Sequence, residues 1–300
     1  MTIGLFVNPA AGRGMGRRNH AAITAELTRL GVEFIDYTAS SRELAISKAQ
    51  TSLARGEVSA LLVAGGDGMV NVGANLAMDA GIPLGIIPSG TGNDIARALN
   101  LPIDNVVWAT QVAADHLEIP RTVDIGKANS SDGDFYFLGS LAAGFDALVN
   151  ARANSFKRIK GPIKYRIALY RELAKFKKLS YKLTVDGEIH LLDAMLCTIA
   201  NVPSYGGGML ITPEAEIDDG ELDLFIVHKI SRPELIRVFP HVYTGTHVEH
   251  PAIEIVRVKS VVLEAKAPVF ADGEASGQAP VSISVVPGGL RVLAPSQSRL

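Results

Sequence analysis

The sequence predicts two domains, an α/β domain built on a parallel sheet and a β-rich, mainly antiparallel second domain. A chain of 300 residues suits two domains and buries enough surface to need no disulfide or metal for stability. Residues 1–120 alternate short apolar runs with amphipathic segments, as a parallel sheet covered by helices does. From Thr122 onward most apolar runs are short and alternate as antiparallel strands do.

Strands and helices alternate in the first domain. Ile3 to Val7 predicts a strand, and Ile23, Leu27 and Leu30 then recur at helical spacing before Gly31 ends that helix. The elements that follow are a strand at Val32 to Tyr37, a helix that starts at the capping-box pair Ser40 and Glu43 and runs to Gly56, a strand at Ala60 to Ala64, a helix and a strand ending at Ile86-Ile87, and helices near Gly92 to Leu99 and Asn105 to Ala114.

The second domain is predicted as a series of strands with two helical insertions, near Ile163 to Lys177 and Pro233 to Tyr243. Asp186-Gly187 predicts a hairpin turn. The predicted strands are Thr122 to Ile125, Phe135 to Leu141, Tyr181 to Val185, Ala194 to Ala200, Leu222 to Val227, Ile253 to Val258, Ser260 to Glu264 and Val281 to Val286.

Composition and charge exclude several classes of protein. The formal charge of −2 lacks the positive excess of a general nucleic-acid binder, so no nucleic-acid partner is expected. Cys197 is the single cysteine and excludes a disulfide framework within one chain. The N-terminal residues lack a signal-peptide pattern, and no stretch reaches the ~18 apolar residues of a membrane span. A cytoplasmic location is therefore expected.

Three glycine-containing turns follow predicted strands of the first domain. They are Asn8-Pro9-Ala10-Ala11-Gly12-Arg13-Gly14, Gly65-Gly66-Asp67-Gly68-Met69-Val70-Asn71 and Pro88-Ser89-Gly90-Thr91-Gly92-Asn93-Asp94. Open α/β sheets bind ligands at the carboxyl ends of their strands, and glycines let backbone N–H groups approach phosphate oxygens. One such turn is a weak signal, but three in register predict a shared phosphate site.

Asp67 is the most informative residue of these turns. A phosphate would repel its carboxylate unless Mg²⁺ lay between them, so Mg²⁺ binding is the favoured role; the alternative is a helix N-cap. The sequence contains no G-x-x-x-x-G-K-[ST] motif. Gly12, Gly14 and Gly16 are spaced G-x-G-x-G, and Asp36 stands where a Rossmann unit has its ribose-binding acid, so dinucleotide binding remains a weaker alternative.

These residues resemble the diacylglycerol kinase catalytic family, which includes sphingosine and ceramide kinases and soluble bacterial lipid kinases. The resemblance covers nearly the whole chain. Its motifs, in the family's order, are Asn8-Pro9 to Gly12, Gly65-Gly66-Asp67-Gly68, Gly90-Thr91-Gly92-Asn93-Asp94, Asp218-Asp219-Gly220-Glu221-Leu222-Asp223 and Asp272-Gly273-Glu274. It implies a nucleotide-binding domain at 1–121, to which 290–300 return, a lipid-substrate domain at 122–289, and an active site in the cleft between them.

The resemblance also implies cofactors and site residues. ATP would contact Asn8 to Gly12, Thr38, Gly65 to Asn71 and Thr91, although Met69 replaces the family's usual Thr and offers no hydroxyl. A structural Mg²⁺ would bind Asp219 and the backbone carbonyls of Glu216 and Glu221. Asp272 or Glu274 would be the catalytic base. Asp186-Gly187-Glu188 repeats that tripeptide and serves as an internal control, with a solvated hairpin expected there.

Residues 152–182 contain eleven Lys or Arg against one acid, Glu172. Apolar residues recur there at helical spacing, so an amphipathic helix would either lie on an anionic bilayer or pack on its own domain, and the two remain open. Taken with the resemblance, these features imply an ATP- and Mg²⁺-dependent lipid kinase, cytoplasmic and peripherally membrane-associated when active, with diacylglycerol as the expected substrate and phospholipid biosynthesis as its context. The alternatives are a soluble-substrate kinase such as NAD kinase and a nucleotide-binding regulatory protein without turnover; a homo-oligomer is left open.

Overall fold

The computed structural model describes residues 1–7, 16–144 and 179–296. The chain divides into two compact units, the first formed by Met1–Asp124 with Gly288–Leu300 and the second by Ile125–Pro287. The divisions thus fall at 124 and 287, where the sequence analysis places them at 121 and 289.

The sheet of the first unit is parallel, as predicted. Its strands are β1 (Thr2–Val7), β2 (Glu33–Asp36), β3 (Ala60–Gly65) and β4 (Leu84–Pro88), in the spatial order β4-β3-β1-β2. Val292 pairs in parallel with Leu84, so the C-terminal strand ends beside β4. The strands β1, β3 and β4 are buried almost throughout, which explains their continuous apolar sequence.

The described residues of the first unit form the helices α1 (Gly16–Arg29), α2 (Arg42–Ala54), α3 (Asp67–Ala80), α4 (Asp94–Ala98) and α5 (Val106–Asp115). The predicted cap of α2 is wrong by one residue. Ser41, not Ser40, is the N-cap, and its hydroxyl accepts a hydrogen bond from Leu44 N at 3.2 Å. The side chain of an N-cap reaches the N–H two or three residues later, and Ser40 lies one residue too early for that N–H.

The second unit is β-rich and its strands pair antiparallel, as predicted. Its strands in the described residues are β5 (Arg121–Ser130), β6 (Gly133–Phe137), β7 (Ser140–Gly144), β8 (Leu179–Val185), β9 (Glu188–Ala200), β10 (Leu222–His228), β11 (Ile253–Val258), β12 (Ser260–Glu264), β13 (Pro268–Ala271), β14 (Glu274–Gln278) and β15 (Val281–Val292). Seven of them follow the order β14-β13-β7-β9-β8-β12-β15. Strand β10 lies between β9 and β11, and β5 pairs with β6 and β15. Helix α6 (Arg232–Val238) and 3₁₀ turns at Phe239–Tyr243 and Thr246–Glu249 form an insertion between β10 and β11.

Each unit has its own hydrophobic core. Ile3, Leu5, Ile23, Leu62 and Ile87 belong to the core of the first unit, which Leu293 joins from the C-terminal segment. Alternate residues of β10 face opposite sides. Leu222, Leu224 and Ile226 pack into one core of the second unit, whereas Phe225 and Val227 pack into another. Cys197 is buried in the first of these.

Two expectations for the second unit are corrected. The predicted strand Phe135 to Leu141 is two strands, because the chain breaks at Leu138-Gly139 and turns its N–H groups toward a carboxylate. Strands β13 and β14 are absent from the prediction; β14, with the sequence Glu-Ala-Ser-Gly-Gln, has no large apolar residue. The helix predicted near Ile163 to Lys177 lies outside the described residues.

Candidate active site

The second and third glycine turns meet backbone to backbone at Gly66 and Gly90. A methyl group on Gly90 would lie 2.3 Å from Gly66 Cα, and one on Gly66 would lie 3.1 Å from Gly90 Cα. Ser89 N donates to Gly65 O at 2.9 Å, which continues the pairing of β3 and β4 into the turns. Glycine is therefore required at both positions for close approach, and the expected grouping of these two turns is observed.

Asn93 and Asp67 hold the third turn in shape. Asn93 has a left-handed backbone with φ of 56°, and its Oδ1 accepts a hydrogen bond from Gly90 N at 2.9 Å. Asp67, the first residue of α3, accepts a hydrogen bond on Oδ1 from Ile95 N in the first turn of α4 at 3.2 Å. Its carboxylate thus connects the second turn to the third and caps a neighbouring helix. Asp94 is buried at the start of α4.

The side chain of Met69 is 5% exposed and packs in the interior. Met69 N and Val70 N both donate to Gly66 O, so α3 begins directly within the glycine turn. The missing hydroxyl at Met69 consequently leaves the backbone of the turn intact. Arg42 Nη2 donates to Gly68 O at 3.4 Å and connects the same turn to α2.

Thr38 follows β2, where the sequence analysis places an ATP contact. Its hydroxyl accepts a hydrogen bond from Val7 N at 3.3 Å, at the end of β1. The first glycine turn, including Asn8, Pro9, Ala10, Ala11 and Gly12, lies outside the described residues.

Asp272 anchors a backbone turn of the second unit. It is 7% exposed, and its two carboxylate oxygens accept hydrogen bonds from three consecutive backbone groups, Leu138 N at 2.9 Å, Gly139 N at 2.8 Å and Ser140 N at 2.9 Å. These three N–H groups belong to residues far away in sequence. The carboxylate therefore anchors the backbone turn at Leu138, Gly139 and Ser140.

Asp272-Gly273 and Asp186-Gly187 form the same kind of hairpin turn. Both residues have positive φ in each case, 49° and 83° in one turn and 46° and 95° in the other, as a type I′ turn requires. Asp186 is exposed, yet its Oδ1 accepts hydrogen bonds from Ser260 N at 2.7 Å and Lys259 N at 3.1 Å. The expected solvated hairpin is observed at Asp186-Gly187, although Asp186 also accepts backbone hydrogen bonds from Lys259 and Ser260.

Glu274 is the first residue of β14 and pairs with Ala271 across the turn. It is partly exposed, in contrast to the buried Asp272. The equivalent residue of the control turn, Glu188, begins β9 opposite Val185. The two glutamates therefore form a matched pair for mutagenesis.

Acidic side chains gather around Asp219 at the start of β10. Asp219 Oδ1 accepts a hydrogen bond from Glu221 N at 3.0 Å, and Oδ2 lies 3.8 Å from Arg257 Nη1. Burial raises the pKa of Asp223 to about 6; Arg257 opposes this change, and the charges of Asp219, Glu221 and Glu214 reinforce it. No group of three or more His, Cys, Asp or Glu side chains with metal-site geometry occurs among the described residues. A cation here would need the backbone carbonyls that the resemblance implies.

Asn201 is a buried residue beside this turn, and the sequence analysis missed it. Its Nδ2 donates to Leu138 O at 3.0 Å and its N donates to Gly139 O at 2.8 Å, so it holds the turn that Asp272 anchors from the other side. The signal in the sequence is an amide directly after the apolar strand that ends at Ala200.

Of the basic segment 152–182, only the last four residues are described. Lys182 forms an ion pair with Glu264 at 2.8 Å. In the described part of the chain, no helix is long and apolar enough to cross a membrane.

Residues 2–128 match the model of the diacylglycerol kinase catalytic domain, and residues 139–294 match that of the YegS C-terminal NAD kinase beta sandwich-like domain. A protein from Mycobacterium tuberculosis named diacylglycerol kinase is 37% identical over 294 residues, covering 97% of this chain and 94% of the relative. The chain belongs to the diacylglycerol kinase family. A Staphylococcus haemolyticus relative of the same name is 30% identical, over 93% of this chain and 83% of its own.

The fold is also that of solved structures in the diacylglycerol kinase family. A crystal structure of a diacylglycerol kinase from Bacillus anthracis superposes with a TM-score of 0.73 at 24% identity, and covers 98% of this chain and 97% of its own. A second crystal structure from that organism superposes with a TM-score of 0.78 at 26% identity, and covers 98% of this chain and 97% of its own. Family membership supports a kinase, and both units of the chain take part in the likeness.

Proposed function

We propose that the chain is an ATP- and Mg²⁺-dependent lipid kinase that phosphorylates diacylglycerol to phosphatidic acid. The observation that carries the proposal is the match along nearly the whole chain to relatives named diacylglycerol kinase. The matched region includes the glycine turns of the first unit and the Asp-Gly-Glu turn of the second.

The glycine turns are proposed to bind the phosphates of ATP. Gly66 and Gly90 bring two backbones into contact and leave no room for side chains there. Asp67 fixes the spacing of the turns through Ile95 N, and its carboxylate is suited to a cation that accompanies the phosphates. Asn8 to Gly12, Thr38, Gly65 to Asn71, Thr91, Asn93 and Asp94 are proposed as the nucleotide-binding set, and Mg²⁺ would neutralise charge on the transferred phosphoryl group.

Glu274 is proposed as the catalytic base, with Asp272 as its anchor. A lipid hydroxyl must lose its proton as its oxygen bonds to the γ-phosphorus and as the bond to the β-phosphate oxygen breaks. Glu274 would accept that proton and release it to solvent after ADP leaves. Asp272 already accepts three backbone hydrogen bonds and holds the turn on which Glu274 sits.

A structural Mg²⁺ fits the donor chemistry around Asp219. The carboxylates of Asp219, Glu221 and Glu214 lie close enough to raise the pKa of Asp223, so this region carries excess negative charge. Asp219 and the carbonyls of Glu216 and Glu221 would hold the ion, since a hard cation prefers oxygen ligands.

The lipid substrate lies in a membrane, so we propose that residues 152–182 make peripheral contact with an anionic surface. Eleven basic residues would gain about 1 kcal/mol each only where they approach the surface. The chain would thus act from the cytoplasmic side.

ATP consumption with and without a short-chain diacylglycerol tests the proposed function. We expect turnover that depends on the lipid and on Mg²⁺. Turnover with NAD in place of lipid would indicate a soluble-substrate kinase, and ATP binding without turnover would indicate a regulatory protein.

Glu274→Gln and Glu188→Gln form the matched test of the base. The first is expected to lower kcat by about 10²-fold or more with little change in KM for ATP, whereas the second leaves both unchanged. Equal behaviour of the two variants would show that Glu274 is an ordinary turn residue.

A further inference from the structure

The insertion between β10 and β11 exposes apolar side chains along one face of its helical segment. Ile236, Phe239, Pro240 and Tyr243 recur at the spacing of one helix face, and the backbone stays helical where α6 passes into the 3₁₀ turn. Ile236 is 49% exposed and Tyr243 is 52% exposed. The ring of Phe239 packs edge-on against that of Tyr243, with centroids 6.2 Å apart. These four side chains form the insertion face.

The hydrophobic core of the second unit covers a different side of the same helical segment. Val238 is buried in that core, and Leu235 and Val242 pack against it. The segment therefore carries two apolar faces, and the core explains only one of them. An exposed apolar patch with polar residues at its rim is typical of a surface that contacts a membrane or another molecule.

The charges beside the insertion face favour an anionic bilayer. Arg232 and Arg237 lie on the same helix, Lys229 lies just before it, and all three are exposed. Glu234 is engaged by His250 Nε2 at 3.3 Å. Helices that combine aromatic and aliphatic side chains with Lys and Arg lie in the plane of a membrane interface, where tyrosine is enriched.

A second exposed apolar patch lies on β9 and has the opposite charge around it. Ile189 is 64% exposed and Leu191 is 78% exposed. The same strand carries Glu188 and Asp193 on either side of them. An anionic surface would repel these carboxylates, so charge complementarity selects the insertion face and makes the β9 patch a matched control.

We propose that the insertion face enters the boundary between headgroups and acyl chains of an anionic bilayer and docks the second unit there. The inference rests on the proposed lipid substrate. It adds an apolar anchor to the contact proposed for residues 152–182. Salt screens the attraction between basic residues and a membrane, whereas burial of apolar side chains persists at high ionic strength.

Co-sedimentation with vesicles of phosphatidylcholine and an equal part of phosphatidylserine, without ATP, tests this docking surface. The insertion variant combines Ile236→Ser and Tyr243→Ser. We expect it to lower the partition coefficient by about tenfold or more, because two large side chains no longer enter the bilayer. High salt should weaken binding of the wild-type chain and of the variant by similar factors and preserve the ratio between them.

The control variant combines Ile189→Ser and Leu191→Ser and should bind these vesicles as the wild type does. Urea unfolding shows whether both variants are folded. Equal binding by the wild type and the insertion variant, or an equal loss in the control, would overturn the inference. If the insertion variant instead changes the oligomeric state in sedimentation velocity and binds vesicles normally, the face contacts a second copy of the chain and the inference is wrong.

Fluorescence gives a measurement that does not depend on losing a side chain. Trp108 is the single tryptophan, so Tyr243→Trp combined with Trp108→Phe places one reporter on the insertion face. Its emission should shift to shorter wavelength when anionic vesicles are added. An unchanged emission in a chain that binds the vesicles would show that the insertion face stays in water, against the proposal.

Kinetics separate this inference from the proposed function. Turnover of a short-chain diacylglycerol dispersed in water should stay near wild type in the insertion variant, whereas turnover of a long-chain diacylglycerol in vesicles should fall with the partition coefficient. A wild-type chain that docks through the insertion face but phosphorylates neither lipid would overturn the proposed function and leave this inference standing.

Discussion

Replacing Asp272 by Asn tests whether this carboxylate is an anchor or a base. Asn keeps one oxygen, which can still accept hydrogen bonds from two backbone N–H groups. Its NH₂ group would face the third N–H, so two donors would meet without an acceptor. A buried donor left without an acceptor costs about 1–3 kcal/mol, and Asp272 is too buried for water to replace the lost oxygen. Asn tolerates the positive φ of this position, so the backbone itself should not be strained.

Asp186→Asn is the matched control, because Asp186 has the same turn geometry and also accepts backbone hydrogen bonds. It is exposed, so water can solvate the donors and the cost should stay below about 1 kcal/mol. Urea unfolding measures both costs, and thermal unfolding should show a loss of roughly 2–4 °C per kcal/mol for a unit of this size.

Activity separates the two roles. With Glu274 as base, folded Asp272→Asn enzyme should retain far more kcat than Glu274→Gln. A kcat for Asp272→Asn as low as that of Glu274→Gln, with an unchanged free energy of unfolding, would refute the anchor role and make Asp272 the base.

Three further predictions follow from the described contacts. Gly90→Ala should abolish ATP binding and destabilise the first unit, because its methyl group would meet Gly66 Cα. Gly31→Ala has open space around it and should lower the free energy of unfolding by only about 1 kcal/mol, because of its positive φ. Calorimetry measures ATP binding, and urea unfolding measures stability. Asp223 has a folded pKa of about 6 against 3.8 unfolded, so its contribution is fully present below pH 4 and is lost as pH rises through 6. Asp223→Asn should therefore raise the free energy of unfolding by up to about 3 kcal/mol at pH 7 but not at pH 4. Replacing Lys157, Arg158 and Lys160 by Gln should weaken binding to anionic vesicles by about 1 kcal/mol per charge. Lys259→Gln and Lys266→Gln are the controls and should leave vesicle binding unchanged. Unchanged binding in the first variant would favour a segment that packs on its own domain.

The parallel sheet was predictable because its evidence is local and redundant. Ala60 to Ala64 is apolar at every position, which suits a strand buried on both faces, and the strands are separated by amphipathic segments. The cap of α2 was harder, since two adjacent serines offer the same hydroxyl. Only the position of the N–H of Leu44 decides in favour of Ser41.

The roles within the site depend on contacts between residues far apart in sequence. The break at Leu138-Gly139 lies in an otherwise strand-like run, and the carboxylate that stabilises it comes from Asp272. Asn201 belongs to no motif, and only its hydrogen bond to Leu138 O connects it to the same turn. Asp272 and Asp186 both stand in the sequence Asp-Gly-Glu, so the sequence could not distinguish them. Their hydrogen-bond donors come from different parts of the chain, near Leu138 and near Lys259.

If Glu274 is the base, as proposed, the aspartate and the glutamate of the Asp272-Gly273-Glu274 turn divide two tasks that one carboxylate would meet poorly. A residue that positions a turn must keep its oxygens bonded to fixed donors, as Asp272 does with three N–H groups. A base must exchange a proton in every cycle, which requires oxygens that can give up their partners at little cost. In a type I′ hairpin the aspartate occupies the turn and the glutamate begins the next strand, where its side chain is partly exposed. On the proposed assignment, two residues separate the anchor from the base, and loss of the anchor should first disturb the position of the base.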